Sequence, residues 1–187
     1  MPNSSNSPRR RSIRLPGHDY AQPGIYFVTI CAQDRRCLFG DIANGELRHD
    51  ATGLLISSWW EKLPEKYPYV VLDAFVVMPN HLHGILHITE VGAVAGRPHG
   101  AAPTLGLMMT WFKSMTTNAY IRGVKEHGWP AFAIRLWQRS FYEHIVRNER
   151  DLDAVREFIF NNPAKWAADR ENPAALSVPK AVPAWQV

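Results

Sequence analysis

"VVMPNHLHGILHI", Val76 to Ile88, joins two apolar runs through Pro79-Asn80 and sets His81 and His83 one leucine apart. A strand alternates its side chains between two faces, so residues two apart stand on the same side, roughly 6–7 Å from each other. His81 and His83 therefore share a face, while Leu82, Leu86 and Ile88 form the opposite one, a set suited to a hydrophobic core. Pro-Asn is turn chemistry. The strand in "YVVLDAFVVMP" and the histidine strand are expected to pair antiparallel, with the polar pair turned away from the main core.

Working outward, "GIYFVTICAQ" is rich in β-branched and aromatic residues and reads as a strand over Gly24–Gln33. Asn44-Gly45 in "LFGDIANGELRHD" is a hairpin signal. Leu54, Leu55, Ser58, Trp59 and Lys62 fall at helical spacing, which predicts a helix over Ala51–Leu63 stopped by Pro64, with Trp59 and Trp60 packing. Leu107, Met108, Trp111, Phe112, Met115 and Ala119 make a second helical stripe, with Gly128 beyond its end. "AIRLWQ" reads as a short strand. "NERDLDAVREFIFNNP" reads as a last helix, capped by Asn148, striped by Leu152, Val155 and Ile159, and ended by Pro163. The order strand, helix, strand, strand, helix, strand defines an α+β fold. It is a ferredoxin-like split βαβ antiparallel sheet with helices on one face, plus an N-terminal hairpin and a C-terminal helix. His81 and His83 belong on the other face.

The 187 residues, 46% of them hydrophobic, suit one domain with appended tails. The expected organisation is a basic tail over 1–16, a domain over 17–170 with a mobile Gly/Ala/Pro-rich loop at 91–104 containing a solvated His99, and a Pro/Ala-rich tail over 171–187. The formal charge is +4, which Arg9, Arg10, Arg11 and Arg14 match alone, so the body is neutral overall. Within it, Leu105–Arg150 is basic and Asp41–Asp73 acidic, a distribution that fits either a phosphate-binding face or solvated surface charge. No apolar run approaches the ~20 residues of a membrane helix, so a soluble, cytoplasmic protein without a membrane partner is expected. Cys31 and Cys37 are too few for a disulfide framework or an unaided structural zinc site.

Two imidazoles converging from one strand can hold a divalent ion, or can be hydrogen-bonded structural histidines. His87 reads as a supporting or structural histidine on the same face. An unrelated metal-dependent hydrolase of the H-x-H-x-D-H kind would need acid and histidine where Ile85 and Leu86 stand.

Four stretches carry a family resemblance: "PGIYFVTICAQDRRCLFG", "FVVMPNHLHGIL", "WFKSMTTNAYIRGVKEHGW" and "LWQRSFYEHIVRNERDLDAVREFIFNNPAKW". In this order they span about Ile13 to Pro173, and the chain resembles the REP-associated tyrosine transposases, within the single-tyrosine HUH (IS200-like) superfamily. The resemblance implies a histidine pair, His81 and His83, that holds Mg²⁺ or Mn²⁺ with Asn162 as third ligand. It also implies a last helix that offers a tyrosine to a scissile phosphate, and a hairpin-forming, repetitive DNA element as partner. The nucleophile should lie one turn before Asn162, and that position is Phe158.

Phenylalanine has no oxygen to attack with. The chain is then a DNA-binding relative without cleavage, a variant changed from tyrosine, or an enzyme with another nucleophile. Tyr142, flanked by Glu143 and His144 as proton-transfer partners, is the nearest alternative; a packing tyrosine with a surface hydroxyl is the other reading of it. A metal-activated water is a further route. Lys113, Arg122, Arg135, Arg139 and Arg147 are candidate phosphate contacts, and the arginine-rich start could add to them or remain a solubilising tail. The oligomeric state is left open.

Overall fold

The computed structural model describes residues 22–89 and 104–175. The basic tail at 1–16, the loop at 91–103 with His99, and the chain from 176 onward lie outside the described residues.

β1 (Gly24–Cys31), β4 (Val70–Val77), β5 (His81–Ile88) and β6 (Tyr142–Val146) form one sheet in the order β4-β5-β1-β6. Every neighbouring pair is antiparallel. β2 (Gly40–Ala43) and β3 (Glu46–His49) form the expected hairpin, and Asn44 and Gly45 both take positive φ at its tip. α1 (Ala51–Glu61) and α3 (Leu105–His127) supply the two crossovers of a ferredoxin-like sheet. The expected fold class is therefore the observed one.

One face of the sheet carries Tyr26, Val28, Ile30, Leu82 and Leu86, buried with Ile56 and Trp60 of α1 and Met108 and Phe112 of α3. Gly84 lies opposite Val28, and a Cβ there would collide with the Trp60 ring. Its missing side chain is the space into which the indole packs. On the other face Phe27, Ile85 and Val146 meet Leu152, Val155 and Ile159 of α4 (Glu149–Asn161), a smaller apolar patch. α4 is capped by Asn148 as expected, its Oδ1 accepting from Asp151 N–H at 2.9 Å. A bulge between Leu72 and Phe75 in β4 presents Asp73 to Arg156 of α4, with two hydrogen bonds of 3.0 and 2.7 Å, and His87 meets the same carboxylate at 3.0 Å. His87 thus has a structural role.

Two local expectations are corrected. "AIRLWQ" is not a strand: it makes only one bridge, Trp137 to Ala32, because the neighbours Leu136 and Trp137 are both buried and so break the alternation a strand requires. The fourth strand is Tyr142–Val146 instead. Pro64 does not simply stop α1; it falls in the first turn of a short helix, α2 (Leu63–Lys66), where its missing N–H goes unneeded. Pro163 ends α4 as expected, and it opens a 3₁₀ segment, Pro163–Ala168. Glu171, Asn172 and Ala175 are buried.

Candidate functional site

β5 begins at His81, directly opposite Cys31 at the end of β1, and His83 faces Thr29. Alternation sends both imidazoles to the α4 face, where they are buried at 0% and 5% exposure. Their Nε2 atoms are 2.9 Å apart. Burial is the main cause that holds both rings neutral: the His81 imidazolium is disfavoured down to about 3, with the Arg170 charge adding to the effect. His83 is pushed well below its ordinary value by burial, then by His81 and Arg170.

The outer nitrogens are held from behind. Asn80 donates its amide N–H groups to the carbonyls of Arg35 (2.9 Å) and Glu171 (2.7 Å), which leaves its Oδ1 to accept from His81 Nδ1 at 2.8 Å. The His81 proton therefore sits on Nδ1, and its Nε2 presents a bare lone pair. His83 Nδ1 meets the Thr29 hydroxyl at 2.8 Å, a rotor that can donate or accept. With the hydroxyl accepting, the His83 Nε2 lone pair is bare as well. Ligand-orienting partners of this kind are what metal-binding histidines need.

Asp169 closes the group. Its Oδ2 lies 3.9 Å from His81 Nε2, and the candidate ligand atoms of His81, His83 and Asp169 fall within 4.8 Å of one another. No other such cluster of His, Cys, Asp or Glu occurs among the described residues. Asn162, 3% exposed, hydrogen-bonds this carboxylate through its side chain, and its buried Oδ1 has no hydrogen-bond partner among the described residues. Phe158 presses its ring edge to face on His83 at 5.0 Å and on Phe27 at 5.9 Å. Trp166 stands 6.0 Å from His81 on the other side.

Tyr142 pairs with Thr29, which pairs with His83, so the tyrosine and the histidine occupy one row across the sheet with β1 between them. Burial raises the Tyr142 phenol above its ordinary range, which opposes the phenolate a nucleophile requires. The neighbouring Glu143 charge adds to this rise, and His144 meets the Asp151 carboxylate at 3.0 Å.

Of the five candidate phosphate contacts, Lys113, Arg135 and Arg139 line one groove between α3 and the segment preceding β6. Lys113 is turned inward: its ammonium donates to the carbonyls of Gln138 (2.9 Å), Arg139 (3.3 Å) and Ser140 (2.9 Å). Arg122 is exposed farther along α3, and Arg147 is exposed after β6. Sequence reasoning missed Asp169, Asn80 and Thr29 as site residues. "MPNH" contained Asn80, but turn chemistry accounted for it. Asp169 sits after a 3₁₀ segment, where no periodicity marks a residue's direction.

An antiparallel sheet of this order, with a terminal helix laid over a histidine pair, defines a transposase-like fold. A solved REP-associated tyrosine transposase bound to a REP hairpin matches it with a TM-score of 0.55, at 21% identity, over 79% of this chain and 71% of that one. In sequence, an uncharacterized protein of Haemophilus influenzae is 37% identical over 172 residues, covering 86% of this chain and 92% of that protein. A second H. influenzae protein, described as a REP-associated tyrosine transposase, is 25% identical over 151 residues, 79% of this chain and 74% of its own length. No family model matches. The chain is thus similar in sequence to a REP-associated tyrosine transposase and has a transposase-like fold.

Proposed function

We propose that this protein binds hairpin-forming single-stranded DNA at the sheet end carrying the histidine pair. Mg²⁺ or Mn²⁺ is held there by His81, His83, Asn162 and Asp169, and the strand is not cut through residue 158. The carrying observation is the facing pair of neutral imidazoles, with Nε2 atoms 2.9 Å apart, beside a carboxylate and an orphaned buried amide oxygen. Two nitrogens each about 2.1 Å from a shared ion at a right angle lie about 3 Å apart, so the spacing fits one cation. When bound, the ion would polarise phosphoryl oxygens and offset charge developing at phosphorus.

The remaining chemistry belongs to the chain. Asn80 and Thr29 aim the imidazoles, and α4 sets residue 158 against them. A phenol at this position would attack phosphorus, forming a tyrosyl–phosphate bond while the bond to the 3′-oxygen breaks and that oxygen leaves as a hydroxyl. Phe158 fills the space without the attacking atom.

The test incubates the protein and its Phe158→Tyr variant with labelled hairpin DNA and Mn²⁺. Both proteins should retard the hairpin, and only the variant should yield a protein–DNA adduct that survives denaturation. In parallel, Mn²⁺ should raise the melting temperature of the parent and leave His81→Ala unmoved. An adduct on the parent would redirect the nucleophile to another residue, with Tyr142→Phe as the next variant. Failure to bind hairpin above a random-sequence control would overturn the DNA reading.

A further inference from the structure

Asp34 and Arg35, just beyond β1, take φ values of 57° and 54°, in the left-handed region that favours glycine. Residues with side chains persist there where their surroundings over-determine them. Three ties do so at Arg35. Its N–H donates to the Ala32 carbonyl at 3.2 Å. Its own carbonyl accepts from the Asn80 amide at 2.9 Å. Its Nε donates to the Glu171 carboxylate, also at 2.9 Å, across 136 positions of sequence. Glu171 is buried, which limits competition from water for this contact.

Glu171 does more than receive a cation. The Cys31 thiol hydrogen-bonds its carboxylate, and Arg170 Nε donates to the other oxygen at 3.1 Å. Its backbone then acts in two directions. The carbonyl accepts the second Asn80 amide proton at 2.7 Å, and the N–H donates to Asp169 Oδ1 at 2.6 Å. With Oδ1 so engaged, Oδ2 is the oxygen 3.9 Å from His81 Nε2. Residue 171 thus sets both the amide that fixes His81 and the carboxylate that faces it. Arg35 holds residue 171 and supplies the other acceptor for the same amide. A buried amide with both protons committed cannot turn over, because rotation would set its oxygen against two carbonyls and its nitrogen against the imidazole.

We propose that Arg35 is a positioning residue for the cation site, acting through the Glu171 carboxylate and the Asn80 amide to keep the His81 proton on Nδ1. This rests on the cation reading above. Among the described residues Arg35 hydrogen-bonds none of the candidate ligands itself. A planar guanidinium fixes the angle of the carboxylate as well as its distance, which a lysine ammonium does less well. Without the clasp the backbone at 171 can shift, the amide can turn over, and the proton can move to Nε2, the nitrogen that a cation needs bare.

The experiment reads the His81 tautomer in metal-free protein, from its two ring-nitrogen resonances in long-range ¹H–¹⁵N spectra, and separately follows Mn²⁺ affinity by calorimetry. The parent should show Nδ1 protonated and Nε2 bare. Arg35→Gln should mix the two tautomers and weaken Mn²⁺ binding about tenfold, the low end for losing a group that orients a ligand. Arg35→Lys, which keeps the charge, should fall between the two. Arg36→Gln, on the same turn but bonded to the Ala131 carbonyl at 2.8 Å, should change neither reading. Adding Arg35→Gln to Glu171→Ala should cost nothing beyond Glu171→Ala alone, because the acceptor is already gone. Should Arg35→Gln fail to fold, Glu171→Ala carries the same comparison. An unaltered tautomer in these variants overturns the clasp whatever happens to stability, and so does a mixed tautomer in the parent. If the parent binds no Mn²⁺, the cation reading fails, while the tautomer comparison, made without metal, still decides the clasp.

Discussion

The two faces of the sheet are made from the same strands and do opposite work. Toward α1 and α3 the side chains are apolar, and Gly84 gives up its own side chain so that Trp60 can pack against the strand. Toward α4 the apolar patch is small, and polar groups occupy the row that contains Thr29, His83 and Tyr142. A strand's two-residue period lets one sequence write both surfaces. Stability can then be concentrated on one face, while the other carries neutral imidazoles, a buried amide and a carboxylate.

The sharpest way to break this contrast is Trp60→Ala. The indole is fully buried and meets Phe75 and Phe112, so its loss should cost about 3–5 kcal/mol and unfold much of the population, as read by denaturant titration. A metal-specific defect with unchanged stability would contradict the division of labour. Thr29→Val probes the other face. It keeps the shape and removes the partner of His83 Nδ1, so Mn²⁺ affinity measured by calorimetry should fall about 10- to 100-fold while the fold is preserved.

The smallest effect concerns Asp73, which ties α4 to the bulge of β4. Hydrogen bonds from Arg156 are the main cause holding its carboxyl down at about 2. A carboxylate depressed in the folded state adds stability above its unfolded value, near 4, and that contribution disappears as pH falls through about 2. Asp73→Asn should therefore flatten the acid limb of stability against pH between about 4 and 2 and leave neutral pH nearly untouched. An unchanged acid limb would mean that the clamp contributes nothing.

Much of this was readable before any coordinates. The turn at Pro79-Asn80, the alternation around His81 and the hairpin at Asn44-Gly45 are local signals, and each held. The last strand was not readable: Tyr142–Val146 is an edge strand whose residues are mostly half-buried and mixed in polarity. Residues 133–138 imitated a strand better, with Ile134 and Leu136 alternating, although Ile134 is 82% exposed and Leu136 is buried. At the site, the histidines, Asn162 and Phe158 came from pattern and resemblance. Asp169 did not, because its direction depends on how the 3₁₀ segment after Pro163 folds back over the sheet.

The double anchoring of Asn80 has a consequence for assembly. One of the two carbonyls that orient it belongs to Glu171, ninety-one positions downstream, and Asp169 arrives with the same segment. None of the sheet's strand pairings uses this stretch, so without it the ladder is intact but His81 lacks its fixed tautomer and its acidic neighbour. Competence for a cation is conferred by the final closure of the chain, so a protease nick near residue 168 would leave a folded scaffold that has forgotten how to hold its ion.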